Sequence, residues 1–73
     1  MSYLYRVENK LEEVTRSAQI ELVEEYFEVH FYENTSYVGT IEYLDKSYGY
    51  VMDAATNWVN WIMTKETIDR YKR

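Results

Sequence analysis

The chain has 73 residues and a formal charge of −5, with 13 acidic against 8 basic residues, nine tyrosines, two tryptophans and no cysteine. This length predicts one domain, residues 1–73, with a core of marginal size. The acidic balance argues against direct nucleic-acid binding, which usually requires a basic face, and a chain without cysteine has no disulfides and no thiol chemistry.

The N-terminal third, about residues 4–24, is predicted to be a helix. Its apolar residues recur at alternating steps of three and four, which is the spacing of one helical face. Ile20 and Val23 lie off this face, so residues 18–25 are open to interpretation as helix or strand. The predicted face consists of Leu4, Val7, Leu11, Val14, Ala18 and Leu22.

A β-hairpin is predicted at about residues 26–44. Apolar residues at every second position from Phe27 to Phe31 alternate with more polar ones, which is typical of a half-buried strand. Residues 34–36 predict the turn, and residues 37–44 are rich in β-branched and aromatic types. Two strands alone make a poor sheet, so either the N-terminal region adds a third strand or another chain pairs with an edge.

A second helix is predicted at about residues 47–63, followed by a C-terminal extension, residues 64–73, that either continues the helix or frays. The segment Asp45-Lys46-Ser47 offers capping side chains before its start. The predicted fold is therefore α+β in the order helix, hairpin, helix, with both helices on one face of a short antiparallel sheet. The core-facing residues of the second helix are Tyr48, Val51, Met52, Ala55, Trp58, Val59 and Ile62.

The second helix also carries a second apolar line, which predicts a binding surface. Tyr50, Ala54, Trp61 and Ile68 follow one another at seam-like offsets, with Asn57 among them. We interpret the line as an exposed stripe that docks a partner or a second copy of the chain, with Tyr50, Asn57 and Trp61 as contact residues. The alternative is that the first helix covers it.

Negative charge is concentrated in the middle of the chain. The stretch from Ser17 to Asp45 has seven acidic residues and no Lys or Arg. A solvated surface is the ordinary interpretation of such a run. The alternative is a carboxylate array that imitates the phosphates of nucleic acid and attracts a basic groove. The residues predicted to bind the partner here are Glu21, Glu24, Glu25 and Glu28, with Tyr26 and Tyr32 of the hairpin.

The sequence predicts neither catalysis nor a cofactor. His30 is the single imidazole. Ser36 in the predicted turn and Ser47 at the predicted helix start are candidate nucleophiles, but neither has a recognisable base and orienting group in the sequence. One histidine without cysteine is expected to be unable to build a zinc site within one chain. A carboxylate di-metal motif would need glutamate three residues before His30, where the chain has Phe27. Catalytic, cofactor-binding and metal-binding residues are therefore all expected to be absent.

These observations predict a non-catalytic protein that binds a larger protein with a basic surface and inhibits or occludes it. A nucleic-acid-binding protein is one candidate for that partner. The alternative is a structural or adaptor subunit that forms a homodimer through the helix stripe or a sheet edge. In composition alone, the chain resembles small inhibitors made by phages and other mobile elements, which would imply action in a host-cell cytoplasm. With no apolar leader and no membrane-spanning segment in the sequence, we expect a cytoplasmic protein with no membrane partner.

Overall fold

The chain folds as an antiparallel meander of four strands followed by two helices. A computed structural model describes residues 2–71, so residues 1, 72 and 73, at the ends of the predicted domain, lie outside the described part. Strands adjacent in sequence are adjacent in the sheet. The elements are β1 (Ser2–Leu11), β2 (Val14–Val23), β3 (Tyr26–Glu33), β4 (Ser36–Tyr43), α1 (Tyr48–Val59) and α2 (Lys65–Arg70).

The helix predicted at residues 4–24 is wrong, because this stretch forms β1 and β2. The two strands pair from Leu11 opposite Val14 up to the strand ends, with one register shift after Tyr3. The helical spacing arose by combining residues of two strands that face each other, as Val7 and Ala18 do. The fold is α+β, but the strands come first, so the predicted order of helix, hairpin and helix is not found.

The chain reverses at three two-residue turns between the strands, and the first two lack the usual turn residues. Glu12 and Glu24 begin the first two turns with φ of 56° and 55°, and Asn34 begins the third with φ of 56°. The left-handed region costs an L-residue other than Gly or Asn about 1 kcal/mol or more. Glutamate is therefore an unusual choice there, and its presence explains why the sequence pattern did not predict the first two reversals.

The predicted hairpin is confirmed as β3 and β4. Phe31 lies opposite Gly39, whereas its neighbour Tyr32 lies opposite Tyr37, so Val38 is an extra residue that bulges from β4. The sheet that two strands could not have formed alone is completed by β1 and β2 from the N-terminal region.

The second predicted helix is confirmed in position but ends earlier than residue 63. The Ser47 hydroxyl accepts a hydrogen bond of 3.1 Å from the Tyr50 amide and so caps the start of α1. At the other end, the Asn57 carbonyl accepts from the amides of Ile62 and Met63 at 2.8 and 2.9 Å. These bonds close the helix, and α2 starts as a separate element within the predicted C-terminal extension.

Both helices cover the same face of the sheet and enclose the core with it. Trp58 is fully buried, meets the Phe31 ring edge-on at a centroid distance of 5.6 Å, and donates from Nε1 to the carbonyls of Ser17 and Tyr32, each at 3.1 Å. The tryptophan thereby joins α1 to the backbones of β2 and β3. The core consists of Ala18, Ile20, Val29, Phe31, Ile41, Tyr43, Val51, Ala54, Ala55, Trp58, Val59 and Ile68.

A buried arginine ties the end of α1 to the sheet. Arg16 is 8% exposed and donates to the carbonyls of Trp58 and Met63 at 3.3 and 3.1 Å. It also donates to the Glu33 carboxylate at 3.1 Å, which Lys65 contacts at 2.7 Å. The hydrogen bond from Lys65, together with that from Arg16, lowers the pKa of Glu33. Charges on the helix side of the sheet are thus matched.

Candidate functional site

The candidate site lies on the opposite face of the sheet, which no described helix covers. Glu21 on β2 is directly opposite Glu28 on β3, and Glu28 is directly opposite Glu42 on β4. Adjacent strands are about 4.8 Å apart, so three carboxylates form a row across the sheet. We call Glu21, Glu28 and Glu42 the acidic row. Like charges in opposite positions destabilise a sheet, so this arrangement has a stability cost.

The β2–β3 turn beside the row adds Glu24 and Glu25, both exposed. The four predicted glutamates therefore lie at one end of the sheet, on β2, β3 and the turn between them. Glu42 was missed, and its signal was present: the predicted hairpin already placed residue 42 close to Glu28. Strands β2 to β4 bring one basic residue, Arg16, and its guanidinium faces the helices.

Tyrosines border the acidic row. The Tyr26 hydroxyl donates to the Glu42 carboxylate at 3.3 Å. Partial burial, followed by the nearby carboxylates of Glu42 and Glu28, raises the pKa of Tyr26. Tyr32 is half-buried, and its ring contacts that of exposed Tyr37 at a centroid distance of 5.7 Å. The open face therefore combines uncompensated carboxylates with phenol rings.

His30 lies beside the acidic row with both ring nitrogens directed at protein groups. Its Nδ1 is 2.8 Å from the Thr40 hydroxyl, which is in turn hydrogen-bonded to the Tyr37 hydroxyl. Its Nε2 is 3.5 Å from a Glu28 oxygen and 3.6 Å from a Glu21 oxygen. Nε2 is shielded from solvent and has no hydrogen-bond partner among the described residues.

The arrangement around His30 contains a contact that the sequence argument about metal ligands did not consider. That argument considered residues close along the chain, such as Phe27 at the motif position. The third donor, Glu21, instead comes from the neighbouring strand, because β2 pairs with β3. Glu21, Glu28 and His30 each offer one ligand atom, and these atoms lie within 4.8 Å of one another.

The predicted aromatic stripe of the second helix is not a continuous surface. Trp61 follows the end of α1 with φ of 62° and is half-buried, with the Arg16 guanidinium 5.0 Å from its ring centroid. Ala54 is buried, and Ile68 belongs to α2 and is fully buried. Tyr50 is 50% exposed. The stripe fails because the helix that was to display it ends at residue 59.

Tyr50 and Asn57 instead line a cleft of about 340 Å³ between the helices and β4. The Tyr50 ring meets that of Tyr43 at a centroid distance of 5.9 Å, and burial raises the pKa of Tyr43. Tyr71 lines the same cleft. The predicted contact residues are therefore divided between two sides of the molecule, with the glutamates on one and the helix residues on the other.

Neither helix of the described part is long and apolar enough to span a membrane. Two surfaces contain predicted contact residues, namely the open face of the sheet and the cleft between the helices and β4. No protein-family model, curated protein or solved structure matches this chain.

Proposed function

We propose that this chain is a non-catalytic binding protein whose open sheet face docks onto a basic surface of a larger protein. The observation that carries the proposal is the acidic row, in which Glu21, Glu28 and Glu42 stand side by side. Folding gains nothing from placing like charges in register. A basic partner would supply the missing positive charge and offset that cost.

The open face has both components that a protein interface needs. Its carboxylates, with those of Glu24 and Glu25 in the adjoining turn, attract a basic surface over several ångströms and orient it. Tyr26 and Tyr32 supply contact area at a low cost in side-chain entropy. Trp61 is not part of this interface, because it packs on Arg16 toward the helices.

Charge complementarity favours a partner that itself binds nucleic acid, because such proteins carry extended basic grooves. A sheet face is a broad, shallow surface, and in this role it would occlude the groove and inhibit its owner. The carboxylates of the acidic row would then occupy the positions in the groove that the phosphates of nucleic acid occupy.

The test compares two variants with the same change in charge at different places. The first, Glu24→Gln/Glu25→Gln/Glu42→Gln, neutralises the acidic end of the open face but leaves Glu21, Glu28 and His30 unchanged. The control is Glu12→Gln/Glu13→Gln/Glu66→Gln, which alters the β1–β2 turn and α2. Affinity capture at 50 and 300 mM salt would be followed by quantitative binding to the captured partner.

The proposal predicts one stoichiometric partner, at least tenfold weaker binding by the first variant, and near-normal binding by the control. Binding by the parent protein should also weaken at the higher salt concentration. Equal losses in both variants would show that net charge alone matters, and binding indifferent to salt would contradict the electrostatic role.

Self-association through a sheet edge is a second candidate, supported by the exposed end of β1. Tyr3, Leu4 and Tyr5 are 56%, 41% and 40% exposed on an edge strand. Light scattering at micromolar concentration would detect a dimer. A dimer that dissociates in the Leu4→Lys variant would support this candidate, because charge on an edge opposes strand pairing.

A further inference from the structure

The open face contains a second arrangement that binding to a basic protein does not require. Glu21 and Glu28 are paired across β2 and β3, and His30 lies two residues beyond Glu28 on the same face. The three side chains converge, with the Nε2 atom of His30 at 3.6 Å from one carboxylate and 3.5 Å from the other.

These separations are too long for strong hydrogen bonds but suit a shared ion. Hydrogen bonds from nitrogen to oxygen are typically about 2.7–3.2 Å. Ligands held tetrahedrally at about 2.1 Å from a metal ion lie about 3.4 Å from one another. Both measured distances from Nε2 are close to the second value.

The imidazole is held in the orientation that a metal ligand needs. The Thr40 hydroxyl lies 2.8 Å from Nδ1 and can accept its proton, which leaves the Nε2 lone pair free. In that tautomer the lone pair points at two carboxylates, and Nε2 is shielded from solvent and has no hydrogen bond within residues 2–71. A lone pair facing two anions is unfavourable unless a cation lies between them.

We propose that Glu21, Glu28 and His30 bind one divalent first-row transition-metal ion, for which Zn²⁺ is the probe. An imidazole nitrogen selects for such ions over Mg²⁺ and Ca²⁺, which prefer oxygen ligands alone. The two carboxylates balance the charge of the ion. Three protein ligands leave at least one coordination position for water, as the side chains are 16–21% exposed at the surface.

A proton on Nε2 is the competing explanation, since either an imidazolium or the neutral tautomer with its proton on Nε2 would direct a donor at both carboxylates, with the Thr40 hydroxyl donating to Nδ1 in the second case. The two cases differ in their response to added metal. Zn²⁺ would bind Nε2 directly and shift its ¹⁵N resonance, whereas a proton-filled site would leave that resonance unchanged at pH 7.5.

The experiment is calorimetric titration of the full chain with ZnCl₂ at pH 7.5 in 5 mM Mg²⁺, with ¹⁵N NMR of the His30 ring in parallel. We expect one equivalent to bind and the Nε2 resonance to shift. His30→Gln should lose at least 100-fold in affinity, and Thr40→Val, which removes the support of Nδ1, about tenfold. Glu42→Gln is the matched control, because Glu42 belongs to the acidic row but not to the ligand set, and its affinity should remain within threefold.

Failure to bind Zn²⁺, an unshifted Nε2 resonance, or equal binding by His30→Gln would each overturn the proposal. Thermal unfolding with and without Zn²⁺ is a second readout, because an ion that binds the folded state raises its Tm. If a variant is unfolded in circular dichroism, Glu21→Gln provides the same test from the neighbouring strand. Partner capture repeated in EDTA keeps the two proposals apart, since removal of the ion leaves the acidic row fully charged and should not weaken binding to a basic surface.

Discussion

The two faces of the sheet use the same four strands but treat charge in opposite ways. On the helix side, Arg16 is buried and satisfied by Glu33 and two carbonyls. On the open side, Glu21 and Glu28 lie directly opposite each other, and no Lys or Arg of β2 to β4 faces them; only the His30 imidazole approaches both carboxylates. The first face is organised for stability and the second is not. This difference is the reason that we place the proposed binding function on the open side, because a stable fold does not require the acidic row.

The largest effect is expected on the helix side, from Trp58→Ala. This change removes a fully buried ring and its hydrogen bonds to two strands. It should lower the free energy of unfolding by about 4 kcal/mol, much of the roughly 5–10 kcal/mol of a small domain. Trp61→Ala is the control. Because Trp61 is half-buried, this substitution should lower the free energy of unfolding by about 1–2 kcal/mol. Urea denaturation gives both values, and equal losses would contradict the assignment of Trp58 to the core.

A smaller loss is expected from Glu33→Gln, which leaves buried Arg16 without its carboxylate. The change should cost about 1–2 kcal/mol at pH 7. Because the folded-state pKa of Glu33 lies below its ordinary value of 4.5, its contribution is present above pH 4.5 and is lost as pH falls through the folded-state pKa. Denaturation of both proteins between pH 3 and 7 checks this prediction, and the two curves should converge at the acidic end. A constant difference across that range would show that the carboxylate charge is unimportant.

On the open side, a substitution should stabilise the fold. Glu42→Lys places a positive charge opposite Glu28 and should raise the free energy of unfolding by about 1 kcal/mol at low salt. The gain should fade near 1 M salt, where charges are screened beyond about 3 Å. Glu66→Lys on α2 makes the same charge change away from the row and should gain less. Thermal melts at two salt concentrations measure both, and a loss of stability at Glu42 would show that the row is not repulsive.

The smallest change in stability is expected at the β1–β2 turn, where the substitution relieves backbone strain and not charge repulsion. Glu12→Asn puts a residue that tolerates the left-handed region at φ of 56° and should add about 0.5 kcal/mol. Glu13→Asn removes the same charge but does not relieve a positive φ, so it should increase the free energy of unfolding by less. Unlike the gain at Glu42, this gain should persist in high salt. Its disappearance in high salt would mean that charge repulsion, not strain, is relieved.

The failure of the helix prediction shows how a pattern can mislead. Ile20 lay off the predicted helical stripe but is fully buried, because alternation along β2 directs both Ala18 and Ile20 into the core. The reversal at Glu12 was hidden, since glutamate is rarely found at a positive φ. Where turn chemistry was conventional, as at Asn34, the hairpin was predicted correctly.

The sequence by itself determined the hairpin, the start of α1 at Ser47 and the shortage of basic residues between Ser17 and Asp45. These properties are local, since they depend on alternation, one capping side chain and composition. The tertiary structure alone decided that Glu21 lies beside Glu28 and that both face His30. The reason is strand register, which joins residues far apart in sequence once the chain reverses at Glu24, and no local pattern specifies where an uncommon turn residue will reverse it.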